Sequence, residues 1–345
     1  MIRYEFWALR GGAPFKKLRV PTTCTPKISY TGSAEIKGTV SLQAEPESDV
    51  TWLTDILAVY RITNNVRQAL GQYHITTAPL STDEYGHQLQ ELTGYDQTYA
   101  LRNLSVLEAT LTIPAGKLYT DAIREQLLAA GISITSITAS DLTLPTTRAF
   151  ETGTTRYEVI STLLQEINYR DIYFNSDGVA VCEPWKPVTL TGKTHRYGKH
   201  ETNLLYIPMT VDNDTFDAAN VFVDIVSSAD LPSELRATAE NNDPKSPLSI
   251  LRRGRRIVNV ETVEGVGSEL ALQTHVNRRM LLSMMASDSY TFTSCGDTEQ
   301  PHGLNDGILM LRDGIGLMEE QDWTLECVPG GQMSHTAKKV YYAFS

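Results

Sequence analysis

Residues 120–182 read TDAIREQLLAAGISITSITASDLTLPTTRAFETGTTRYEVISTLLQEINYRDIYFNSDGVAVC, and the predicted fold depends on this stretch. Helical periodicity occurs here between two long tracts that alternate as strands do. Ile123, Leu127 and Leu128 are predicted to share one face of a first short helix. Gly131 follows where a helix C-terminus favours a left-handed residue. The stretch therefore begins with a short amphipathic helix.

A second helix and a hairpin complete this unit. Thr155 and Glu158 have the spacing of a capping box. The predicted apolar stripe of the helix consists of Val159, Ile160, Leu163, Leu164 and Ile167. The sequence NSDG at 175–178 then lies between DIYF and VAVC, which is typical of a hairpin turn. We expect a mixed α/β unit with no catalytic set of residues.

The first 95 residues have the pattern of an antiparallel β domain, in which short strand-like runs are separated by turns. In AEIKGTVSLQA, Ile36, Gly38, Val40 and Leu42 fall on one side and polar residues on the other. Five or six short strands are separated at spacings typical of a small barrel. Gly38 is interpreted as a bend or bulge where such a barrel turns a corner.

A second β tract follows residue 200 and is interrupted by a long helical pattern from Glu269 to Ala286, with Ser268 as the predicted N-cap. The last sixty residues return to strands separated by turns rich in Gly, Pro and Asp. The fold class predicted is α+β, mostly antiparallel β. The predicted domains are a first β domain over 1–95, an α/β domain over 96–200, a second β domain over 201–230 and 287–345, and a loop and long-helix insertion over 231–286.

Composition limits the classes of function. The net charge is −11, with 41% hydrophobic and 21% charged residues, which is ordinary for a protein with sizeable cores. Binding nucleic acid requires clustered Lys and Arg, so an acidic chain is a poor candidate. No window approaches the ~18 apolar residues of a membrane span. The four cysteines lack a CxxC pair and are expected to be small buried residues of a protein folded in a cytoplasm.

No motif predicts catalysis, a cofactor or a metal. The chain has no phosphate loop, no GxSxG and no HExxH. His195 and His200 lie five apart in a segment broken by Gly, whereas helical metal pairs prefer four, and no Cys or carboxylate completes a set nearby. Both are interpreted as solvent-exposed histidines. The sequence predicts a protein that is not an enzyme, with no catalytic, cofactor-binding or metal-binding residue.

One charge cluster stands out from this acidic background. RRGRR contains Arg252, Arg253, Arg255 and Arg256. A solvated hairpin or strand pair explains it about as well as an interface with an acidic protein partner or a neighbouring subunit, for which Arg is well suited. Single-stranded DNA is disfavoured because no aromatic residues alternate with the arginines. These four arginines are the candidate interface residues.

The order of elements resembles that of the baseplate hub proteins of phage tails and contractile injection systems, the group of late control protein D. The resemblance rests on GYDQTYALRN with Tyr95 and Asp96, on TTRYEVISTLLQEINYRDIYFNSDGVAVCEPW, on SPLSILRRGRRI before the long helix and on PHGLNDGILMLRDG before the final strands. It covers nearly the whole chain. The N-terminal EFWALRGGAPFKKL and DVTWLTD are more similar to hubs of long-tailed phages than of contractile ones.

The resemblance implies two tube-like β-barrel domains with an inserted α/β domain and a smaller helical insertion. It implies a homotrimer whose ring continues the hexameric tail tube. The implied partners are the distal tail or tail tube protein above, a spike, fibre or lysin below, and the end of the tape-measure protein. DNA would only pass through the lumen, and an acidic lumen would let it slide. The implied location is the tail tip of a virion assembled in the host cytoplasm, without a membrane anchor.

Two alternatives stay open at this stage. A receptor- or carbohydrate-binding tail module would use exposed aromatics such as Trp7, Trp52, Trp185 and Trp323. All four lie inside β patterns or beside proline, which favours packing in a core or interface. A cell-wall hydrolase is less favoured because no metal or nucleophile constellation is visible.

Overall fold

A computed structural model provides the structure of the chain. It describes residues 2–82, 85–190, 192, 194–198, 204–206, 208–215, 218–226, 235–263, 268–285, 287–298, 302–303 and 306–341. Strands dominate these residues and most of their pairings are antiparallel. This confirms the predicted mostly antiparallel class with few helices.

The strands of the N-terminal tract are β1 Ile2–Arg10, β2 Ala13–Lys17, β3 Lys27–Thr31, β4 Gly38–Ala44, β5 Ile56–Thr63, β6 Val66–Thr77, β7 Leu80–Thr82 and β8 Gln88–Tyr95. Six short strands follow, namely β9 Leu111–Ile113, β10 Thr135–Ile137, β11 Arg148–Phe150, β12 Tyr173–Phe174, β13 Ala180–Cys182 and β14 Thr194–Tyr197. The remaining strands are β15 Thr210–Asn213, β16 Val221–Val226, β17 Leu235–Glu240, β18 Val258–Thr262, β19 Asp288–Cys295, β20 Gly307–Met310, β21 Gly316–Glu326 and β22 Gln332–Lys339.

The α-helices are α1 Tyr119–Ala129, α2 Arg156–Glu166, α3 Ile250–Arg253 and α4 Glu269–Met284. Two short turns of other helix types occur at Ala100–Leu104 and Arg312–Gly314. Among the described residues, no helix has both the length and the apolar character needed to cross a membrane.

Strands from both ends of the chain belong to one fourteen-stranded sheet. Its main path runs β15-β19-β22-β21-β3-β4-β8-β6-β5-β1-β2. The link between the two tracts is the antiparallel pair β3 and β21, in which Tyr30 lies opposite Trp323 and the two rings stack 5.5 Å apart. The N-terminal and C-terminal strand tracts are therefore joined edge to edge by backbone hydrogen bonds.

The α/β unit has the local features that its sequence predicts. Thr155 and Glu158 form a reciprocal capping box, and Gly131 and Gly178 have positive φ at the end of α1 and in the hairpin turn. The predicted stripe of α2 is buried along its whole length. One detail of α1 is corrected. Ile123 and Leu127 are fully buried, but Leu128 is 54% exposed because it lies beyond the edge of the buried face.

A smaller unit surrounds α4. The helix begins at Ser268, whose side chain accepts a hydrogen bond from the Ala271 N–H, as predicted. It packs on the sheet β17-β16-β18. Strand β16 was predicted within the second β domain, over 201–230, but it pairs with β17 and β18 of the insertion. Periodicity identifies a strand without identifying its neighbours, which explains this correction.

The exit from the N-terminal strands is fixed by a buried carboxylate. Asp96 is 2% exposed and accepts hydrogen bonds from the backbone N–H groups of Gly38 and Thr98, at 2.8 and 3.0 Å. A Cβ atom at position 38 would meet the Asp96 Cβ and the Tyr30 ring, both at 3.0 Å. Gly38 is thus required for a close approach at the start of β4, and the paired register of β3 and β4 shows no bulge there.

Candidate functional site

The RRGRR segment forms a short, well-anchored turn. Ser249 caps α3 by accepting from the Arg252 N–H, and Gly254 ends it with a φ of 66°. Asn220 is fully buried and donates to the carbonyls of Leu248 and Arg255, at 3.2 and 3.0 Å. The segment is neither the hairpin nor the strand pair considered from sequence. Its backbone is fixed, so the arginine side chains project from a defined position.

The four arginine side chains differ in their partners. Arg256 pairs with Glu240 at 2.6 Å, whereas Arg252 and Arg253 donate to the carbonyls of Pro244 and Ala218, at 2.8 and 2.5 Å. Arg255 is exposed, and its guanidinium has no hydrogen bond or ion pair within the described part of the chain. A hydrogen bond to a neutral carbonyl oxygen leaves the positive charge of an arginine uncompensated. Three of the four charges are thus available to an anionic partner.

Apolar side chains lie beside these charges. Strand β18 forms one edge of its sheet and pairs only with β16 among the described residues. Val258 and Val260 are 53% and 59% exposed on it, and Leu251 in α3 is 66% exposed. An open strand edge with exposed valines offers both backbone hydrogen bonds and apolar contact. We call this combination of RRGRR, Leu251 and β18 the arginine edge.

The tryptophans are not arranged as a carbohydrate platform. Trp323 is 8% exposed and stacks on Tyr30, while Trp7, Trp52 and Trp185 are half-buried. The indole N–H of Trp7 donates to Glu5 at 3.0 Å, and that of Trp52 to Gln90 at 3.3 Å. Hydrogen bonds within the chain thus engage Trp7 and Trp52, and ring contacts engage Trp323 with Tyr30 and Trp185 with Arg278.

His195 is buried, which corrects its predicted exposure. It lies on β14 with 5% exposure, and its Nε2 is 2.9 Å from the Asp306 carboxylate. Its ring stacks on His302 with centroids 3.5 Å apart. Burial lowers the pKa of His195, an effect that the hydrogen bond to Asp306 opposes. His200 lies outside the described residues, so its predicted exposure stays a prediction.

A second carboxylate lies behind this pair. Glu320 is 1% exposed, and its two oxygens accept separately from the Nδ1 atoms of His302 and of His335, the latter at 2.5 Å. The outer Nε2 of His335 meets the Ser294 hydroxyl at 2.9 Å, and that of His302 meets the Tyr197 hydroxyl at 3.3 Å. We call His302, Glu320 and His335 the histidine–glutamate cluster.

The pKa of Glu320 in the histidine–glutamate cluster and the pKa of the neighbouring Glu319 are shifted in opposite directions. Burial acts to raise the pKa of Glu320, but the charges and hydrogen bonds of the two histidines outweigh it and lower that pKa to about 2. Glu319 points to the other side of β21, where burial dominates and raises its pKa to about 7. The two adjacent glutamates thus differ in what controls their pKa, which is burial for Glu319 and the contacts with two histidines for Glu320.

Few features of the amino-acid sequence indicate this cluster. Residues 302, 320 and 335 lie in a loop and on β21 and β22, so no short spacing connects them. The one available signal is the pair Glu319-Glu320 in the strand-rich last sixty residues, because a strand that runs through two consecutive acids places one toward each face. At least one buried carboxylate follows from that alternation, and a buried carboxylate needs a partner.

A cleft of about 500 Å³ lies beside the cluster. His302 and Asp306 line it from the C-terminal tract, Tyr30 and Arg61 from the N-terminal strands, and Arg170 from the α/β unit. The cleft therefore lies where the C-terminal tract, the N-terminal strands and the α/β unit meet, and His302 of the histidine–glutamate cluster forms part of its wall.

The chain is similar to several solved structures, although no family model and no curated protein matches it. A tail protein from Neisseria meningitidis MC58 superimposes with a TM-score of 0.68 and 14% identity, covering 99% of this chain and 98% of that one. The 43 kDa tail protein of prophage MuSo2 from Shewanella oneidensis gives 0.67 and 14%, covering 99% and 100%. The chain has the fold of phage tail proteins.

A component of a type VI secretion system is also similar in structure to this chain. The c3393 protein of Escherichia coli, a type VI secretion component described as similar to the T4 tail proteins gp27 and gp5, gives a TM-score of 0.55 at 8% identity. The match covers 94% of this chain and 75% of that one. The resemblance inferred from the order of elements is therefore confirmed at the level of fold. Such low identities carry no individual site residue across.

Proposed function

We propose that the chain is a structural, non-enzymatic component of a phage tail or phage-like injection particle, located in the virion. The observation that carries this proposal is the full-length superposition on two tail proteins, with at least 98% of each chain covered. A match of this extent includes the α/β unit and the α4 unit as well as the strands. It supports a shared architecture beyond one common module.

The finer proposal is a tail-tip or baseplate hub. Three copies form a ring that continues the hexameric tube, with two tube-like barrels from each chain. The ring adapts the tube to the spike, fibre or lysin below it and binds the distal tail protein above it. The joined sheet of β3 and β21 supports this role because backbone hydrogen bonds hold the two strand tracts at a fixed angle.

The arginine edge is the proposed contact with a neighbouring subunit or an acidic tail partner. Every copy of the chain is acidic overall, with a net charge of −11, so three uncompensated arginine charges are opposite in sign to the net charge of a neighbouring copy. Arginine pairs well with carboxylates at interfaces. The exposed edge of β18 provides the apolar contact that an interface also needs.

The acidic balance also supports a role in passing DNA through a tube. A lumen lined by carboxylates repels phosphates and keeps DNA from adhering. We propose that the lumen-facing strands carry net negative charge. An assembled ring lined by Lys and Arg would overturn this part of the proposal.

The assembly state of the purified full-length chain tests the hub function. Mass photometry alone and with tail-tube protein, followed by negative-stain microscopy, is expected to show ring-shaped trimers that cap the tube. A strict monomer that never joins a tube would overturn the hub. Binding on a glycan array without ring formation would favour a receptor-binding module, and a cleared band in zymography on cell wall would favour a hydrolase.

Paired charge reversals test the arginine edge. Arg252→Glu with Arg255→Glu is expected to weaken assembly at least about 10-fold by placing like charges at the contact. The matched control is Arg19→Glu with Lys27→Glu, which changes the net charge equally at two exposed positions of the N-terminal tract. A weaker trimer would identify a neighbouring subunit as the partner, and weaker tube binding an acidic tail protein. Equal behaviour of the two double variants would exclude the arginine edge.

A further inference from the structure

The histidine–glutamate cluster has the donor set of a transition-metal site. One imidazole nitrogen each from His302 and His335 and a carboxylate oxygen of Glu320 lie within 4.8 Å of one another, and the nitrogens that contact Glu320 are the Nδ1 atoms. Two imidazole nitrogens and one carboxylate oxygen form the ligand set that Zn²⁺ takes in many three-ligand protein sites. Ligands of a tetrahedral Zn²⁺ lie roughly 3.4 Å apart, so side-chain shifts of about 1 Å would bring all three to that spacing.

The contacts around the cluster match those of a supported metal site. A histidine that binds a metal through Nδ1 must carry its proton on Nε2 and donate it to an acceptor. The Ser294 and Tyr197 hydroxyls occupy that position for His335 and His302, respectively, and either oxygen can accept. All three candidate ligands are buried, so their orientations are fixed by packing as well as by hydrogen bonds.

Charge provides an independent argument. Within the described part of the chain, Glu320 has contacts with the two histidines but none with an arginine or lysine. The Glu320 carboxylate is therefore a buried anion whose side-chain partners among the described residues are imidazole groups, and a buried carboxylate is costly unless it is paired. A divalent cation held by the same three side chains would pair with it directly.

We propose that His302, Glu320 and His335 bind one divalent transition-metal ion, with Zn²⁺ as the best-matched ion. A water reaching the ion from the adjacent cleft would fill the fourth position. The nitrogen and oxygen donors favour Zn²⁺ over Ca²⁺ or Mg²⁺, which prefer oxygen ligands alone. The ion ties the loop carrying His302 to β21 and β22 and thereby stabilises the C-terminal strands.

The wild-type chain provides the first test, without any substitution. Full-length protein made without a metal-binding tag is stripped with a chelator and titrated with Zn²⁺ against a chromophoric competitor. The expected result is one Zn²⁺ per chain with sub-micromolar affinity and a higher Tm for the loaded protein. Co²⁺ is expected to give the intense visible bands of a four-coordinate site. Failure to bind one equivalent, or the weak spectrum of octahedral Co²⁺, overturns the proposal and leaves a metal-free hydrogen-bond network.

Variants locate the ion. Glu320→Gln and His335→Gln are each expected to weaken Zn²⁺ binding by at least about 100-fold, since each removes a ligand. Ser294→Ala keeps all three ligands, removes the outer hydrogen bond of His335 and is expected to weaken binding about 10-fold. His87→Gln, at an exposed position, is the matched control and retains full affinity. Wild-type affinity in Glu320→Gln would place the ion elsewhere and overturn the assignment. If the ligand variants do not fold, Ser294→Ala and the wild-type Co²⁺ spectrum still decide.

Discussion

Twenty buried apolar side chains form the core beneath α1 and α2, and the other buried residues of these two helices, Thr120, Gln126 and Ser161, are polar but uncharged. The interior between β14, β19, β21 and β22 is built differently, since it encloses His195, His302, His335 and Glu320 beside its apolar residues. In the first region, burial itself supplies the stabilisation. In the second, each buried polar group needs a matching partner, so stability there depends on a complete set of contacts.

The two regions therefore differ in what a substitution does. A truncation under α1 and α2 leaves a cavity whose cost scales with its volume. Loss of one group from the polar interior leaves a buried donor or acceptor without a partner, whatever the change in volume. The comparison predicts four effects of decreasing size.

The largest effect is expected in the apolar core. Leu127→Ala removes a fully buried side chain of α1 and is expected to lower the free energy of unfolding of this unit by about 2–5 kcal/mol. Native-state hydrogen exchange of the α1 and α2 amides measures it. Leu128→Ala is the matched control one position along, 54% exposed, and should change stability by less than about 0.5 kcal/mol. Equal costs for the two variants would contradict the assigned face of α1.

The second prediction concerns pH and the buried carboxylate at the exit of β8. Burial raises the pKa of Asp96 from 3.8 to about 6, against the hydrogen bonds from Thr98 and Gly38. Between these values the unfolded chain releases the proton while the folded chain keeps it, so stability falls as pH rises. Two pKa units correspond to roughly 3 kcal/mol, present in full below about pH 4 and lost by about pH 6.5.

Asp96→Asn removes this titration while keeping a side-chain oxygen as an acceptor. The free energy of unfolding of the wild type relative to Asp96→Asn should therefore decrease over that pH range and stay constant above it. Urea unfolding of both proteins across one pH series provides the measurement. A difference that is independent of pH would show that the hydrogen bonds outweigh burial at this site.

A single hydroxyl tests the polar interior. Ser294→Ala leaves the Nε2 of His335 without its 2.9 Å partner in a fully buried position. In chelator-treated protein we expect a loss of about 1–3 kcal/mol, measured as the unfolding of the C-terminal strands. Ser334→Ala on β22 makes the same chemical change at an exposed position, and it should cost less than about 0.5 kcal/mol. A neutral Ser294→Ala would mean that this hydrogen bond is replaceable.

The smallest effect is expected at the start of α2. Thr155→Ala removes the cap on the Glu158 N–H and should cost about 1 kcal/mol in the stability of the α/β unit. Thr155→Ser keeps the hydroxyl and should restore most of it. Hydrogen exchange of the first-turn amides of α2 is the measurement. Equal exchange in the Ala and Ser variants would indicate that packing alone holds the helix start.

The sequence by itself determined the elements whose signals are local. The capping box at Thr155, the glycine after α1, the hairpin at 175–178 and the N-cap at Ser268 each depend on residues within a few positions of one another. Backbone conformation and capping are decided over such distances, which is why these predictions are confirmed. The order of these elements was sufficient to indicate a tail-protein fold.

Tertiary structure alone decided which faces meet. The pairing of β3 with β21, the place of β16 beside β18 and the burial of His195 all depend on contacts between segments far apart in sequence. Strand alternation provides two faces without naming the buried one, and no spacing rule connects residues 302, 320 and 335. The physical reason is that a buried charge is tolerated only where the fold supplies its partner, and that partner is known once the strands are in place.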